Sequence, residues 1–139
     1  MSIEFNNNPF KRSFISLEEL VDCINDTFHC PVTIEDANHR LLTYSSHEDE
    51  TDPARISTII KRRVPEKVIN KLWKEGIIPK LLKTSDPIRI PEIAEIGLRD
   101  RIAISIQKNN KVLGFIWIVE EKNNLSEEQL EQLKYAANA

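Results

Sequence analysis

Glycine is scarce in this sequence, with three among 139 residues. They stand far apart, at positions 76, 97 and 114. A loop that cradles phosphate with its backbone N–H groups needs several glycines within a few residues. The sequence therefore argues against nucleotide hydrolysis.

Cysteine is rarer still, and the two in the chain are Cys23 and Cys30. Without a charged and then apolar leader, this pair indicates neither a disulfide framework nor export, so we expect a cytoplasmic protein. The apolar runs are too short and too interrupted to cross a bilayer. A redox role would need a thiolate stabilised by positive charge. The neighbouring residues do not supply it, and small, partly buried side chains are the favoured interpretation.

Metal-ligating patterns are missing as well. His29, His39 and His47 match no zinc-site spacing, even with Cys30 beside the first of them, so we predict no metal and no cofactor. The acidic segment 47–52 is interpreted as a solvated loop that caps the following helix, because carboxylates favour helix starts. A net charge of -3 with scattered basic residues argues against direct binding of nucleic acid by this segment.

The last third of the chain contains a clear hairpin. Two alternating apolar runs, Arg101 to Gln107 and Val112 to Glu120, flank a polar turn that includes Asn109-Asn110. Asparagine tolerates the positive φ of tight hairpin turns. The second run is apolar on both faces, so we predict a central strand that is covered on both sides.

Capped helices stand at both ends of this sequence. Residues 1–14 are interpreted as a flexible leader, and the first helix starts at a capping box formed by Ser16 and Glu19. The last helix starts at a similar box formed by Ser126 and Gln129. It shows no terminator before the sequence ends, so we expect the native polypeptide to continue.

The middle of the chain is predicted to hold a hairpin at 31–35 and 41–45, followed by two helices. The first of these two middle helices starts with Asp52 as N-cap and Pro53 at the first helical position. Its apolar side carries Ile56, Ile59 and Ile60. The second helix runs from Pro65 to Gly76, and its apolar face is formed by Val68, Ile69, Leu72 and Trp73. The connection from Ile77 to Arg101 is interpreted as a segment built around a pocket, with a short strand at 88–90.

Together these elements predict one α+β domain, residues 15–139. A central antiparallel β-sheet would carry the terminal helices on one face and the helical insert on the other. This arrangement covers both apolar faces of the central strand.

This order of elements resembles a GAF domain, the small-molecule sensor fold. The strand Val112 to Ile118 and the loop into Leu125-Ser126-Glu127-Glu128 are typical of the end of such a domain. The segments Cys30 to Asp36, His39 to Ser46 and Asp52 to Arg55 are similar to the N-terminal sensory region of PucR-type bacterial transcription regulators.

The resemblance implies a sensor domain of a regulator that binds DNA through a helix-turn-helix outside this chain. It also implies a regulon in nitrogen or amino-acid metabolism, and hence a nitrogen-containing metabolite or an amino acid as effector. The residue signature of cyclic-nucleotide-binding GAF domains is not recognisable here. The cysteine pattern of a GAF-type methionine sulfoxide reductase is missing too.

A GAF-like pocket between the sheet and the insert would be lined by a set of candidate ligand-binding residues. An arginine there would bind a carboxylate with its guanidinium fork, although ion pairs with surface acids such as Glu92, Glu95 and Asp100 are the favoured alternative. The aromatic candidates have core packing as their alternative role. The full set is Tyr44, Ser45, Trp73, Arg89, Arg101, Ser105 and Trp117.

The apolar stripes of the two terminal helices are candidates for a homodimer interface in which four helices pack together. The alternative is that both apolar stripes pack against the sheet of their own protomer. We expect a homodimer, because the last helix would otherwise leave apolar side chains exposed. The candidate interface residues are Leu17, Leu20, Ile24, Leu130, Leu133 and Ala137.

The leading hypothesis is therefore a ligand-sensing and dimerisation domain of a bacterial transcription regulator. A degenerate GAF-like domain that serves only dimerisation or protein interaction is the alternative. An enzyme is disfavoured, because the sequence offers no recognisable nucleophile, metal site or acid–base cluster.

Overall fold

The computed structural model describes residues 9–10, 14, 16–45, 52–120 and 124–138. Most of the predicted leader and most of the predicted acidic loop, including His47, lie outside the described residues. Phe10 lies inside them, is 2% exposed, and places its ring 5.7 Å from that of Phe28. At this position the segment predicted to be a flexible leader contributes to the core.

In the described part of the chain, five antiparallel strands form one sheet: β1 (Val32–Asp36), β2 (Leu41–Tyr44), β3 (Ile88–Ile90), β4 (Arg101–Lys108) and β5 (Lys111–Val119). Their order in the sheet is β2-β1-β5-β4-β3. The predicted hairpin pairs β4 with β5. Asn109 and Asn110 both adopt positive φ, 54° and 64°, as a type I′ turn requires. β5 is the central strand, as its two apolar faces indicated.

The terminal helices, α1 (Leu17–Phe28) and α5 (Glu127–Asn138), cover one face of the sheet. Their predicted caps are confirmed. Ser16 accepts a hydrogen bond from the Glu19 N–H at 3.2 Å, and Ser126 and Gln129 exchange two bonds, at 2.9 and 3.2 Å. Neither these helices nor any other in the described part of the chain is long and apolar enough to span a membrane.

Three helices of the insert, α2 (Pro53–Lys61), α3 (Glu66–Lys74) and α4 (Ile77–Lys83), pack on the opposite face. α4 lies within the segment that was predicted to be a connection with one short strand, so that prediction was incomplete. Gly76 adopts a φ of 80°, which turns the chain into α4 without strain. Pro79 is tolerated because it lies in the first turn of the helix. The short strand of the connection is confirmed as β3.

α2 buries a different face from the one predicted. Ile56 and Ile60 are 46% and 73% exposed, whereas Arg55 and Thr58 are 3% and 6% exposed. The two polar side chains can be buried because they are bonded: Arg55 donates to backbone carbonyls, and Thr58 donates to the Ala54 carbonyl at 2.8 Å. The helix therefore presents polar groups towards the sheet.

Candidate functional site

A cavity lies between the sheet and the insert. Strands β1, β4 and β5 form one wall, and helices α2 and α3 with adjoining residues form the other. The volume open to the centres of water molecules is about 30 Å³, which is room for about two waters. Most of the lining is apolar, and its polar side chains are Thr33, Glu35, Arg55, Thr58 and Arg101.

Arg101 lines this cavity and forms a buried ion pair with Asp52, the N-cap of α2. Its guanidinium donates to both carboxylate oxygens of Asp52, with a distance of 2.8 Å from Nη2 to Oδ1. The same carboxylate accepts the backbone N–H groups of Arg55 and Arg99, at 2.9 and 2.6 Å. Burial alone would raise the pKa of Asp52, but the bonds from Arg101 and the two N–H groups outweigh it and hold the pKa below the ordinary 3.8. The positive charge of Arg101 is thus compensated within the protein.

Glu35 of β1 is a buried acid on the cavity wall. Its side chain is 0% exposed, and Oε1 lies 2.7 Å from His39 Nδ1. Its Oε2 has no hydrogen-bond partner among the described residues. Burial raises the pKa of Glu35 above the ordinary 4.5, and the bond with His39 offsets only part of that rise. The ring of His39 stacks on Phe115, with centroids 5.3 Å apart, which holds the imidazole beside the acid.

Trp117 of β5 supplies a second unpaired group. Its buried Nε1 has no hydrogen-bond partner within the described ranges. Thr33 stands opposite Trp117 across β1 and β5, so Glu35, two residues further on, lies diagonally beside Trp117 on the same face of the sheet. The indole N–H is near enough to favour the ionised form of Glu35. The cavity wall therefore holds an unpaired acceptor near an unpaired donor.

Arg101 and Trp117 are the two predicted ligand-binding residues that line this cavity. Arg101 is paired, as the alternative interpretation held, but with buried Asp52 instead of a surface acid. Trp117 packs in the core, as its alternative role indicated, and also faces the cavity. Whether either residue contacts a ligand stays a prediction.

The other predicted ligand-binding residues do not line this cavity. Ser45 is bonded to the backbone of Val32, and Ser105 donates to the Thr84 carbonyl at 3.0 Å. Trp73 is 47% exposed. Tyr44 is 45% exposed and borders a separate cleft beside β2. Arg89 pairs with Glu120 instead of the surface acids considered for it.

Sequence reasoning missed Glu35 and Arg55. A signal existed for Glu35, because Thr33 and Glu35 alternate with apolar residues along β1 and must share a face. No such signal existed for Arg55, since it precedes Ile56 on a helix whose isoleucines were expected to face the core. Within the described residues, no group of three His, Cys, Asp or Glu side chains could hold a metal ion.

Most of the residues predicted for a dimer interface are buried in the core of the protomer. The sheet and the two terminal helices bury them together, so the expectation that the last helix leaves its apolar residues exposed is wrong. Leu17 is 38% exposed and Leu130 is partly buried against the core. The four buried residues are Leu20, Ile24, Leu133 and Ala137.

Arg89 and Glu120 tie the sheet to the start of α5. Nε and Nη2 of Arg89 donate to the two carboxylate oxygens of Glu120, at 3.3 and 3.2 Å. Arg89 also donates to the Leu125 carbonyl, and Glu120 accepts the Leu125 N–H at 2.9 Å. We refer to Arg89, Glu120 and Leu125 as the α5 clasp.

Glu120→Ala is expected to lower the free energy of unfolding by about 2 kcal/mol, because it leaves the buried Leu125 N–H without an acceptor. Arg89→Met should also destabilise the fold, because the Glu120 carboxylate, whose side chain is 4% exposed, loses its cation. Urea denaturation followed by circular dichroism measures both losses. A variant of either residue that is as stable as the wild type would contradict the proposed role of the clasp.

Glu35→Gln is expected to change how stability depends on pH. The folded protein raises the pKa of Glu35, so it binds the proton more tightly than the unfolded chain does. The stability from this proton is complete below the unfolded pKa, near 4.5, and is lost as pH rises through the higher folded pKa. The variant should therefore gain stability relative to the wild type as pH rises from 4.5 into the neutral range.

Urea denaturation at a series of pH values measures this difference. Glu128→Gln is the matched control, because Glu128 is exposed on α5. A difference between wild type and Glu35→Gln that is constant across the pH range would contradict the prediction.

Two solved structures share the fold of this chain. The cofactor-binding GAF domain of the nutrient sensor CodY from Clostridium difficile aligns with a TM-score of 0.55 and 13% identity, over 99% of this chain and 90% of that chain. The cyanobacteriochrome TePixJ GAF domain aligns with a TM-score of 0.58 and 14% identity, over 87% and 81%. These likenesses confirm the predicted α+β, GAF-like fold. No protein-family profile matches the sequence.

Two sequence relatives are bacterial regulators. The chain is 62% identical to the DNA-binding transcriptional activator AdeR of Bacillus subtilis over 133 residues, which is 96% of this chain and 32% of AdeR. It is 35% identical to the proline-responsive transcriptional activator PutR of the same organism over 122 residues, 87% of this chain and 30% of PutR. The chain thus spans about a third of the length of these relatives. Both relatives are transcriptional activators, in agreement with the prediction that the chain is not an enzyme. The chain is thus a GAF-like domain that is similar to about a third of two transcriptional activators of the PucR family, AdeR and PutR.

Proposed function

We propose that this chain is the effector-sensing domain of a cytoplasmic transcription regulator and that its effector is a small nitrogen-containing metabolite or an amino acid. The observation that carries the proposal is the cavity between the sheet and the insert, which combines an apolar lining with a few buried polar groups. Small-molecule sites have this composition, because apolar contact supplies affinity and a few polar groups fix orientation. DNA binding would belong to a part of the protein outside this chain.

The names of similar proteins support this proposal. PutR is described as proline-responsive, and the CodY domain is described as cofactor-binding and as part of a nutrient sensor. A nitrogen-containing effector for this chain is consistent with the first of these.

The small volume of the cavity implies that effector binding opens it. The space open to the centres of water molecules holds about two waters, so we propose that the insert moves away from the sheet to admit a metabolite. Such a movement provides the two states that a sensor needs, because an effector shifts an equilibrium only when it binds one state more tightly than the other.

β5 offers a direct route from the cavity to the last helix. Trp117 and Val119 line the cavity, Glu120 follows them, and Glu120 holds Leu125 at the start of α5. A displacement of β5 would therefore act on the α5 clasp. We propose that α5 passes the state of the cavity to the rest of the regulator.

A thermal-shift screen of the 139-residue chain tests effector sensing. The panel contains amino acids, purine breakdown products and small carboxylates. At a hundredfold excess over its Kd, a ligand that binds only the folded state stabilises that state by about 2.7 kcal/mol. We expect at least one member to raise the melting temperature in a saturable way. A panel in which no member does so would contradict the proposal.

Two variants locate the effect in the cavity. Val68→Phe fills the cavity wall from α3 and should abolish stabilisation by the ligand, whereas Ile60→Phe makes a comparable enlargement at a position that is 73% exposed and should preserve it. Loss of the response in both variants, or in neither, would show that the ligand binds elsewhere.

We also propose that the domain forms a homodimer, but not through the buried residues predicted from the sequence. Leu17 and Tyr135 are the large apolar side chains that α1 and α5 leave exposed, at 38% and 44%. Light scattering coupled to size exclusion, applied to the wild type and to Leu17→Glu/Tyr135→Glu, tests this. A wild-type monomer, or a dimer that the double variant leaves intact, would contradict it.

A further inference from the structure

Two buried polar atoms in the cavity lack partners. Glu35 Oε2 and Trp117 Nε1 are the buried side-chain nitrogen and oxygen atoms without a hydrogen bond in the described part of the chain. An unpaired buried polar group destabilises the folded state, and native structures contain few of them. Their occurrence together on the wall of one cavity indicates a shared role.

The sheet holds the two groups in a defined relation. Thr33 faces Trp117, and Glu35 faces Phe115, across β1 and β5. Glu35 and Trp117 are therefore diagonal neighbours on the same face, a separation that long side chains can span. His39 bonds to the other carboxylate oxygen of Glu35 at 2.7 Å and so leaves Oε2 as the free acceptor.

The two atoms have opposite hydrogen-bonding character, and the indole N–H lies near enough to Glu35 to favour its ionised form, although neither atom makes a hydrogen bond with normal geometry in the described part of the chain. A ligand placed between them could bond to both. The Glu35 carboxylate accepts bonds, and the ligand group that matches a buried carboxylate best is a protonated amine. The Trp117 indole can only donate, so it requires an acceptor such as a carboxylate oxygen of the ligand. A zwitterion carries both groups and has no net charge, which limits the desolvation of uncompensated charge in the cavity.

The other charged side chains on the cavity wall already have bonding partners within the protein. Arg101 is compensated by Asp52, and Arg55 donates to the carbonyls of Val32 and Ser45. The free polar atoms therefore specify the ligand more directly than the arginines do. The rest of the lining is apolar and includes Ala54, Val64, Val68, Leu72 and Leu98, which suits a short apolar side chain.

We infer that Glu35 and Trp117 anchor the ligand and that this ligand is a zwitterionic amino or imino acid with a short apolar side chain. The amine donates to Glu35 Oε2, and a carboxylate oxygen accepts the Trp117 N–H. This assignment rests on the proposed sensing function and specifies its ligand class and two contacts.

Isothermal titration calorimetry on the 139-residue chain tests the assignment with matched triplets of probes. Each triplet contains an amino acid, the acid without its amine and the amine without its carboxylate: alanine, propionate and ethylamine; valine, isovalerate and isobutylamine; proline, cyclopentanecarboxylate and pyrrolidine. Glycine completes the panel. We expect the complete amino acid of at least one triplet to bind at least about tenfold more tightly than either fragment, because each fragment leaves one buried group unpaired.

Two variants identify the contacts. Glu35→Gln replaces the carboxylate by an amide of the same shape and should weaken binding of that amino acid at least about tenfold. Trp117→Phe removes the N–H and should weaken it about threefold to tenfold. Glu128→Gln, on the exposed side of α5, should bind as the wild type does. Circular dichroism spectra of all variants establish that each is folded.

The outcomes separate this inference from the sensing function. If a ligand from the broader thermal-shift panel binds but lacks an amine, or binds Glu35→Gln as tightly as the wild type, the anchor assignment is overturned while sensing stands. If no compound of either panel binds, sensing fails and the assignment fails with it. Tight binding of the complete amino acid with loss in Glu35→Gln supports both.

Discussion

Asp52→Ala should be among the most destabilising single substitutions in this chain, with an expected loss of about 5 kcal/mol in the free energy of unfolding. Removing one member of a buried ion pair costs about 3 to 5 kcal/mol, because the other charge stays buried without compensation. Here that charge is the guanidinium of Arg101, which is 5% exposed. Loss of the N-cap of α2 adds about 1 kcal/mol, since Asp52 accepts the Arg55 N–H.

Asp52→Asn separates the two contributions. Asparagine is a good N-cap but carries no charge, so this variant should recover about 1 kcal/mol relative to alanine. The double variant Asp52→Ala/Arg101→Met should be more stable than Asp52→Ala alone, because it removes the uncompensated charge as well. Urea denaturation of the four proteins measures these differences. A double variant less stable than Asp52→Ala would show that the pair does not act as a unit.

Gly114→Ala is expected to lower the free energy of unfolding by at least about 3 kcal/mol, and it ranks beside Asp52→Ala. A Cβ at this position would lie 2.2 Å from the Glu35 carbonyl oxygen. The obstructing atom belongs to the backbone of the neighbouring strand, so no side-chain rotation relieves the contact. β1 and β5 would have to separate, and overpacking of this kind costs about 1 to 3 kcal/mol even where side chains can adjust.

Gly76→Ala is the matched control for this substitution. A Cβ there meets nothing within 4 Å, although the residue has a φ of 80°. The loss should therefore be about 1 kcal/mol, the cost of holding alanine in a conformation that favours glycine. Urea denaturation of both variants measures the contrast. A loss at Gly114 that does not exceed the loss at Gly76 would contradict the close approach of β5 to the Glu35 carbonyl.

Both substitutions also bear on the candidate site. Asp52 compensates the arginine on the cavity wall, and Gly114 lets β5 approach the backbone of Glu35. The residues that stabilise the fold most strongly are thus neighbours of the residues proposed to hold the ligand. A less severe change at either position would be expected to alter ligand affinity together with stability.

Local features of the fold could be predicted from the sequence alone. The Asn109-Asn110 turn, the two capping boxes and the doubly apolar β5 depend on residues close together in the chain, and the structure has all of them. The assignment of α2 failed because its isoleucine pattern indicated one buried face, while hydrogen bonds to distant carbonyls made it favourable to bury Arg55 instead. Helical periodicity records apolar spacing and contains no information about such partners.

The sequence by itself determined the strands, most of the helices and the GAF-like order of elements, because propensity, capping and alternation act over a few residues. Tertiary structure alone decided which polar groups meet. Asp52 and Arg101 are 49 residues apart in the chain, and Glu35 comes beside Trp117 only because β1 pairs with β5. The packing of the sheet likewise decided that the apolar stripes of the terminal helices are buried within one protomer. Burial makes such groups costly unless they find partners, and the identity of those partners is a property of the fold.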